Sequence, residues 1–226
     1  MHKKTYLLVG LILSTSMLTA SNGWAGDGTT YKITITNLTP GQPLAPVLAV
    51  THRPGISFFE VGQPPSDELA RLAEAGDANP MAATLLATPG VRDAQVSTTG
   101  LTFPGNSTTM TVSAKRATDN ISIGAMLGAT NDAFFAVRDV ALPWAHQAST
   151  YMADAYDAGS ETNDELASTV FGLGGEGYSP GSSGEGFVYI HNGIHGIADA
   201  DPAILDWRNP VAKIVIERIN HHNHHN

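Results

Sequence analysis

The chain has 226 residues, no cysteine and a formal net charge of −9. An acidic balance of this size argues against nucleic acid or an anionic membrane surface as the partner. Without cysteine, the chain can be neither a disulfide-stabilised protein nor a lipid-anchored lipoprotein, and it is long enough to bury a sizeable core without such cross-links.

The first 25 residues have the pattern of a secretory signal peptide. Two lysines precede an apolar run from Tyr6 to Leu18, and Gly23-Trp24-Ala25 fits a signal peptidase site after Ala25. The run is too short to remain as a membrane anchor. Cleavage removes two lysines and no acid, which lowers the formal charge from −9 to −11. The sequence therefore predicts an exported protein, periplasmic or extracellular, with one domain over residues 26–220 and no transmembrane anchor.

The first half of the mature chain predicts strands around one helix. Residues 31–37 alternate apolar and polar side chains with period two, which indicates a first strand, and residues 44–51 form a buried extended run. Residues 66–75 predict a short helix, with Ser66 as its N-cap and Gly76 as its end. Residues 31–37 and 44–51 are separated by a turn rich in proline and glycine.

The second half predicts more strands and one long loop. Residues 109–115 and 121–127 are extended segments joined by a short turn, which favours a hairpin. Residues 172–186 are rich in glycine and serine and predict a mobile loop, whereas residues 187–191 and 211–219 predict late strands. Many strands, one short helix and glycine- and proline-containing turns indicate a mainly β fold, an antiparallel sandwich with long loops.

Residues 129–165 carry acidic side chains among turn residues. Asp157 and Glu161 flank a glycine, and Asp132 lies on an earlier turn that could close the same site. Calcium binds six to eight oxygen atoms from carboxylates, carbonyls and amides, and crowded carboxylates raise one another's pKa unless a cation is present. The segment therefore predicts a calcium site at Asp132, Asp157 and Glu161, although a solvated acidic loop has the same composition. The segment does not follow the EF-hand spacing.

Histidines supply the other candidate sites. The tail 221–226 has neutral imidazoles that could capture a transition metal, and otherwise it is a disordered tail; its histidines are His221, His222, His224 and His225. His191 and His195 are predicted as loop histidines in a turn, and His52 as a buried polar anchor. No serine-hydrolase elbow or zincin motif occurs in the sequence.

Five blocks of the mature chain resemble the spondin domain, which is the N-terminal module of F-spondin and is found alone in secreted bacterial proteins. They are YKITITNLTPGQPLAPVLAVTH, FFEVGQPPSDELARLAEAGD, TND, AYDAGSETN and the closing VIERI. The resemblance implies a C2-like β-sandwich whose calcium ligands are aspartates on neighbouring loops. Asp132, Asp157 and Glu161 occupy the matching positions, and Glu161 departs from the family's aspartate. The cysteines and additional modules of animal F-spondins are absent, so their adhesion partners are not implied.

Two functional hypotheses follow from these observations. The favoured one is an exported calcium-binding module for extracellular binding or adhesion, with an extracellular protein or glycan as partner and no catalytic residues. The alternative is an exported enzyme or transition-metal-handling protein that uses the acidic loops or the histidine-rich tail.

Overall fold

The computed structural model of the chain describes residues 28–116, 118–144 and 147–219. The predicted signal peptide at 1–25 and the histidine-rich tail at 221–226 lie outside the described residues. The strands within that part are β1 (Thr29–Asn37), β2 (Leu48–His52), β3 (Val91–Val96), β4 (Ser107–Ala114), β5 (Asn120–Met126), β6 (Ala133–Ala141), β7 (Ala148–Asp157), β8 (Tyr189–Ile190) and β9 (Ala212–Ile219). The helices are α1 (Asp67–Ala75), α2 (Asn79–Leu86) and the single turn α3 (Pro202–Leu205), with a 3-10 turn at Phe171–Leu173.

The strands form one antiparallel sheet that curls until its two ends meet. Their order is β3-β2-β5-β6-β7-β9-β1-β4, and β8 adds to the end of β7. The first part of β7 pairs with β9 and its last four residues pair with β6, so β7 joins the two halves of the sheet. Where the two ends meet, the Ser113 amide of β4 donates to the Asp93 carboxylate of β3 at 2.7 Å, and the Thr51 hydroxyl of the neighbouring strand β2 donates to the Ser113 carbonyl at 2.5 Å. The predicted mainly β, sandwich-like fold is confirmed.

Two apolar clusters fill the two faces of the middle strands. Phe135 of β6 faces the interior of the curled sheet, together with Ile33 and Ile123. Phe134, its neighbour in sequence, faces the opposite side and packs with the two longer helices through residues such as Leu72. Because successive side chains of a strand point to opposite faces, a strand that is covered on both sides buries all of its residues. This is why every residue of β2 is buried.

The predicted helix is confirmed, but a second one was missed. Ser66 accepts a hydrogen bond from the Leu69 amide, and Gly76 ends α1 with a left-handed φ of 66°. The missed helix α2 follows after three residues, has proline in its first turn and has no side-chain cap. The prediction of one short helix was therefore wrong, because α2 carries little of the local capping signal that identifies α1. None of the helices in the described residues is long and apolar enough to cross a membrane.

The predicted hairpin at 109–127 was also wrong. Strand β4 pairs with β1, whereas β5 pairs with β2 and β6. The turn between them carries the chain from one half of the sheet to the other, and buried Asp119 holds it by accepting hydrogen bonds from the Lys115 and Arg116 amides at 3.1 and 2.9 Å. The predicted strands at 31–37 and 211–219 are confirmed as β1 and β9, which pair with each other. Within 187–191 only Tyr189–Ile190 is strand.

Candidate metal centre

Asp132 and Asp157 lie at the same end of two paired strands. Asp132 immediately precedes β6, Asp157 is the last residue of β7, and Ala133 pairs with Asp157 in the register of the two strands. Both carboxylates are fully buried. Residues that are 25 apart in sequence are therefore neighbours because the two strands are antiparallel and in this register.

The chain after β7 wraps around the Asp132 carboxylate. Its Oδ2 accepts hydrogen bonds from the Ser160 amide at 2.8 Å, the Ser160 hydroxyl at 3.2 Å and the Glu161 amide at 3.0 Å. Its Oδ1 has no hydrogen-bond partner among the described residues. Buried polar atoms are nearly always paired in folded proteins, so a carboxylate oxygen at this depth without a donor requires a proton or a cation beside it.

Glycine at position 159 allows this wrapping. Gly159 has a left-handed φ of 68°, and a Cβ atom there would lie 2.3 Å from the Phe187 carbonyl oxygen. The Gly186 amide donates to the Gly159 carbonyl at 2.8 Å, which ties the segment before β8 to the same turn. The turn after β7 therefore needs glycine for both its backbone conformation and its close contact with the neighbouring segment.

Asp157 is held by the Gly159 amide and by the side chains of Asn163 and Tyr189. Its Oδ1 accepts from the Gly159 amide at 2.8 Å, and its Oδ2 accepts from the Asn163 side-chain amide at 2.6 Å. Asn163 also contacts the Tyr189 hydroxyl at 3.2 Å. The Tyr189 hydroxyl also donates a hydrogen bond to Asp157. Burial raises the pKa of this hydroxyl, the Asp157 charge and the hydrogen bond add to the effect, and the group therefore stays protonated.

Burial and mutual repulsion disfavour the ionised forms of Asp132 and Asp157 when no cation is present. Burial raises the pKa of Asp132 well above its usual range, and the nearby Asp157 charge adds to the effect. Burial also raises the pKa of Asp157. A cation between or beside them would favour the ionised forms, because an opposite charge at short range offsets both desolvation and mutual repulsion.

His191, the residue after β8, lies beside Asp157 but is not placed as a metal ligand. Its Nε2 lies 3.6 Å from Asp157 Oδ2, and its Nδ1 accepts a hydrogen bond from the Gly193 amide at 2.9 Å. An Nδ1 that accepts must be unprotonated, so the neutral ring carries its proton on Nε2 and presents a donor to Asp157. Burial lowers the pKa of His191 to about 4, which keeps the ring neutral. Residues 191–196 lie in neither a helix nor a strand, so the prediction that His191 and His195 are loop histidines is confirmed.

Glu161 joins the pair through its backbone, while its carboxylate lies among other acids. Burial raises the pKa of Glu161 to about 8, and the charges that add to the shift are those of Glu74, Asp164 and Glu176. The charges that raise the pKa of Asp132 are instead those of Asp157 and Glu185. The Oε2 atom of Glu161 is buried and has no hydrogen-bond partner in the described part of the chain. The structure thus brings Asp132 and Asp157 together, and among the described residues the Glu161 carboxylate does not complete a three-acid metal-binding group with them.

No group of three or more histidine, aspartate or glutamate side chains within residues 28–116, 118–144 and 147–219 is arranged to hold a metal ion. A cation beside Asp132 and Asp157 would therefore be bound by two carboxylates, and neutral oxygens would complete its coordination. Asn163 and Ser160 can supply such oxygens, and both belong to the block AYDAGSETN, from which the sequence predicted a calcium site. Tyr189 and His191 were missed as neighbours of the pair, because a separation of about 30 residues leaves no periodic signal.

His52 forms a second buried polar group on the opposite side of β5. Its Nε2 lies 2.8 Å from the Ser122 hydroxyl, its Nδ1 lies 2.9 Å from the Arg53 carbonyl oxygen, and Asp139 Oδ1 is 3.8 Å from Nδ1. The residue types are those of a serine hydrolase, but His52 and Ser122 are each only 1% exposed, so a substrate carbonyl could not reach the hydroxyl. The prediction of a buried polar anchor at His52 is confirmed.

No protein-family model matches the chain, and a comparison with curated proteins finds no match. The resemblance to the spondin domain therefore stays a prediction.

Proposed function

We propose that this chain is an exported β-sandwich module of the spondin type, which binds calcium at Asp132 and Asp157 and acts by binding an extracellular partner rather than by catalysis. The observation that carries the proposal is the unpaired Oδ1 of Asp132, fully buried beside a second carboxylate. A carboxylate oxygen without a donor at this depth is costly in the protein alone, and a bound cation would satisfy it.

The oxygen ligands available beside Asp132 and Asp157 favour a hard cation. The two aspartates supply carboxylate oxygens, and Asn163, Ser160 and the turn backbone supply neutral oxygens of the kind that calcium accepts. His191 offers an N–H rather than a lone pair, which argues against a site for zinc or copper. Bound calcium would cross-link the chain before β6 to the turn after β7 and fix the loops that surround them.

Export and the absence of catalysis belong to the same proposal. Export rests on the signal-peptide pattern of residues 1–25. The binding role rests on two features of the end of the sheet where Asp132 and Asp157 lie. The carboxylate pair is fully buried and hence shielded from a substrate, and the loops around it are those that a bound cation would fix. A surface shaped by such loops can bind a partner only when the cation holds them.

A calcium titration of two variants on one strand tests the site. In Asp157→Asn one of the two anionic ligands is lost, whereas Asp154→Asn removes an equal charge from an exposed position three residues earlier on β7. Melting temperature is measured in chelator and then with increasing calcium or magnesium. We expect a saturable rise with calcium in the parent protein and in Asp154→Asn, and none in Asp157→Asn. A parent protein that calcium leaves unchanged would refute the proposal.

A further inference from the structure

An acidic cavity lies between residues 161–169 and the glycine-rich loop, and Glu161, whose amide donates to Asp132, is part of its lining. Its volume is about 420 Å³. Three carboxylates line it, from Glu161, Asp164 and Glu176, together with hydroxyl groups that include those of Thr169 and Ser182. Among the residues that the structure describes, no lysine, arginine or histidine lines it.

Glu161, in the wall of this cavity, carries an unsatisfied acceptor. The residue is 5% exposed, and its Oε2 has no hydrogen-bond partner in the described part of the chain. The acids whose charges act on it are Glu74 of α1 and, within the lining itself, Asp164 and Glu176. A buried acceptor among like charges, with no cation of the protein beside it, indicates a site for a positively charged ligand.

The glycine-rich wall of the cavity is tied to the rest of the domain. Glu74 accepts a hydrogen bond from the Ser179 amide at 2.9 Å, and the Ser182 hydroxyl donates to the Ser160 carbonyl at 2.8 Å. A Cβ atom at Gly184 would lie 2.4 Å from the Gly159 carbonyl oxygen, so the loop packs directly on the turn after β7. The cavity is therefore preformed, as binding sites for small groups usually are.

The size of the cavity favours an organic cation over a single metal ion. No three acidic side chains in the described ranges could hold one metal ion together, and the cavity is far larger than a single ion. An alkylammonium group carries three N–H donors on a flexible chain, so it can reach separated carboxylate and hydroxyl acceptors in turn. We propose that this cavity binds an alkylammonium group, supplied by a lysine side chain of a partner protein or by a free polyamine. The proposal does not depend on calcium at Asp132 and Asp157.

Calorimetry of the full chain in chelator tests the ligand and identifies its source. The probes are spermidine, a short lysine-rich peptide and the same peptide with every side-chain amine acetylated. Saturable binding of spermidine or of the unmodified peptide supports the proposal, and whichever binds more tightly identifies the source. Binding of the acetylated peptide as tightly as the unmodified one, or no saturable binding of either amine, would overturn it.

Three variants with equal charge change locate the site. Glu161→Gln keeps the shape of the buried side chain, Glu176→Gln changes the loop wall, and Glu60→Gln is a control at an exposed residue outside this cavity. Loss of a charge-assisted hydrogen bond should weaken amine binding about ten-fold in the first two variants and leave the control unchanged. Equal weakening in all three would show only non-specific attraction and overturn the proposal.

The calcium site is separated from this one by a crossed experiment. We expect Asp157→Asn to lose calcium stabilisation and to keep amine binding, whereas Glu161→Gln should lose amine binding and keep calcium stabilisation. If Glu161→Gln abolishes calcium stabilisation and leaves amine binding intact, its carboxylate belongs to the metal centre and the cavity proposal fails. If only the calcium response is missing in the parent protein, the calcium proposal alone fails.

Discussion

Replacing Asp132 by asparagine should affect the protein in opposite ways with and without calcium. The carbonyl oxygen of asparagine can still accept the three hydrogen bonds that Oδ2 receives from Ser160 and Glu161. Its NH2 group would take the place of the unpaired Oδ1 and could donate to Asp157. In chelator the variant should therefore be at least as stable as the parent, because a buried charge with a raised pKa is gone. With calcium it should lose an anionic ligand.

The size of the calcium effect follows from mass action. A ligand at 100 times its dissociation constant stabilises the folded state by about 2.7 kcal/mol. For a protein of this size, that corresponds to a rise in melting temperature of roughly 5 to 11 °C. Differential scanning fluorimetry of the parent and of Asp132→Asn, each in chelator and in saturating calcium, measures both changes. A variant that melts well below the parent in chelator, or one that keeps the full calcium shift, would refute this account of Asp132.

Three further expectations concern the effect of pH on stability, the role of His191 beside Asp157 and the glycine turn after β7. Burial raises the pKa of Glu161 from 4.5 to about 8, so the folded protein binds this proton more tightly than the unfolded chain does. In chelator, the stability from this group is fully present below its unfolded pKa and falls by up to about 1.4 kcal/mol per pH unit as pH rises toward 8; equal urea stability at pH 5 and pH 8 would contradict this. His191→Phe removes the N–H that faces Asp157, and we expect roughly ten-fold weaker calcium binding by calorimetry, with recovery in His191→Gln, which retains a donor. Gly159→Ala should lower the free energy of unfolding clearly more than Gly174→Ala, as measured by chemical denaturation. Both glycines have positive φ, but only at Gly159 would a Cβ lie 2.3 Å from another backbone atom, the Phe187 carbonyl oxygen. Gly174→Ala should lower the free energy of unfolding by only about 1 kcal/mol, and equal losses in the two variants would rule out this reason.

The local signals in the sequence were sufficient for elements that are stabilised locally. Helix α1 was predicted because its cap, its apolar face and its terminal glycine all lie within eleven residues. Strand β1 was predicted because alternation along one strand directly reflects one buried face. The two aspartates were singled out because carboxylates among turn residues are typical of hard-cation sites, and the structure places them side by side.

Only the tertiary structure decided how these pieces pair. The hairpin prediction failed because strand pairing is set by which faces become covered, and the turn at Asp119 carries the chain between the halves of the sheet instead of reversing it within one half. The direction of the Glu161 carboxylate and the approach of His191 to Asp157 depend on contacts between segments far apart in sequence. The sequence by itself determined the β character of the chain and its acidic turns, since both depend on the side chains of short segments. The fold alone decided which acids share a site, because that depends on how the strands are paired and how the loops cross the end of the sheet.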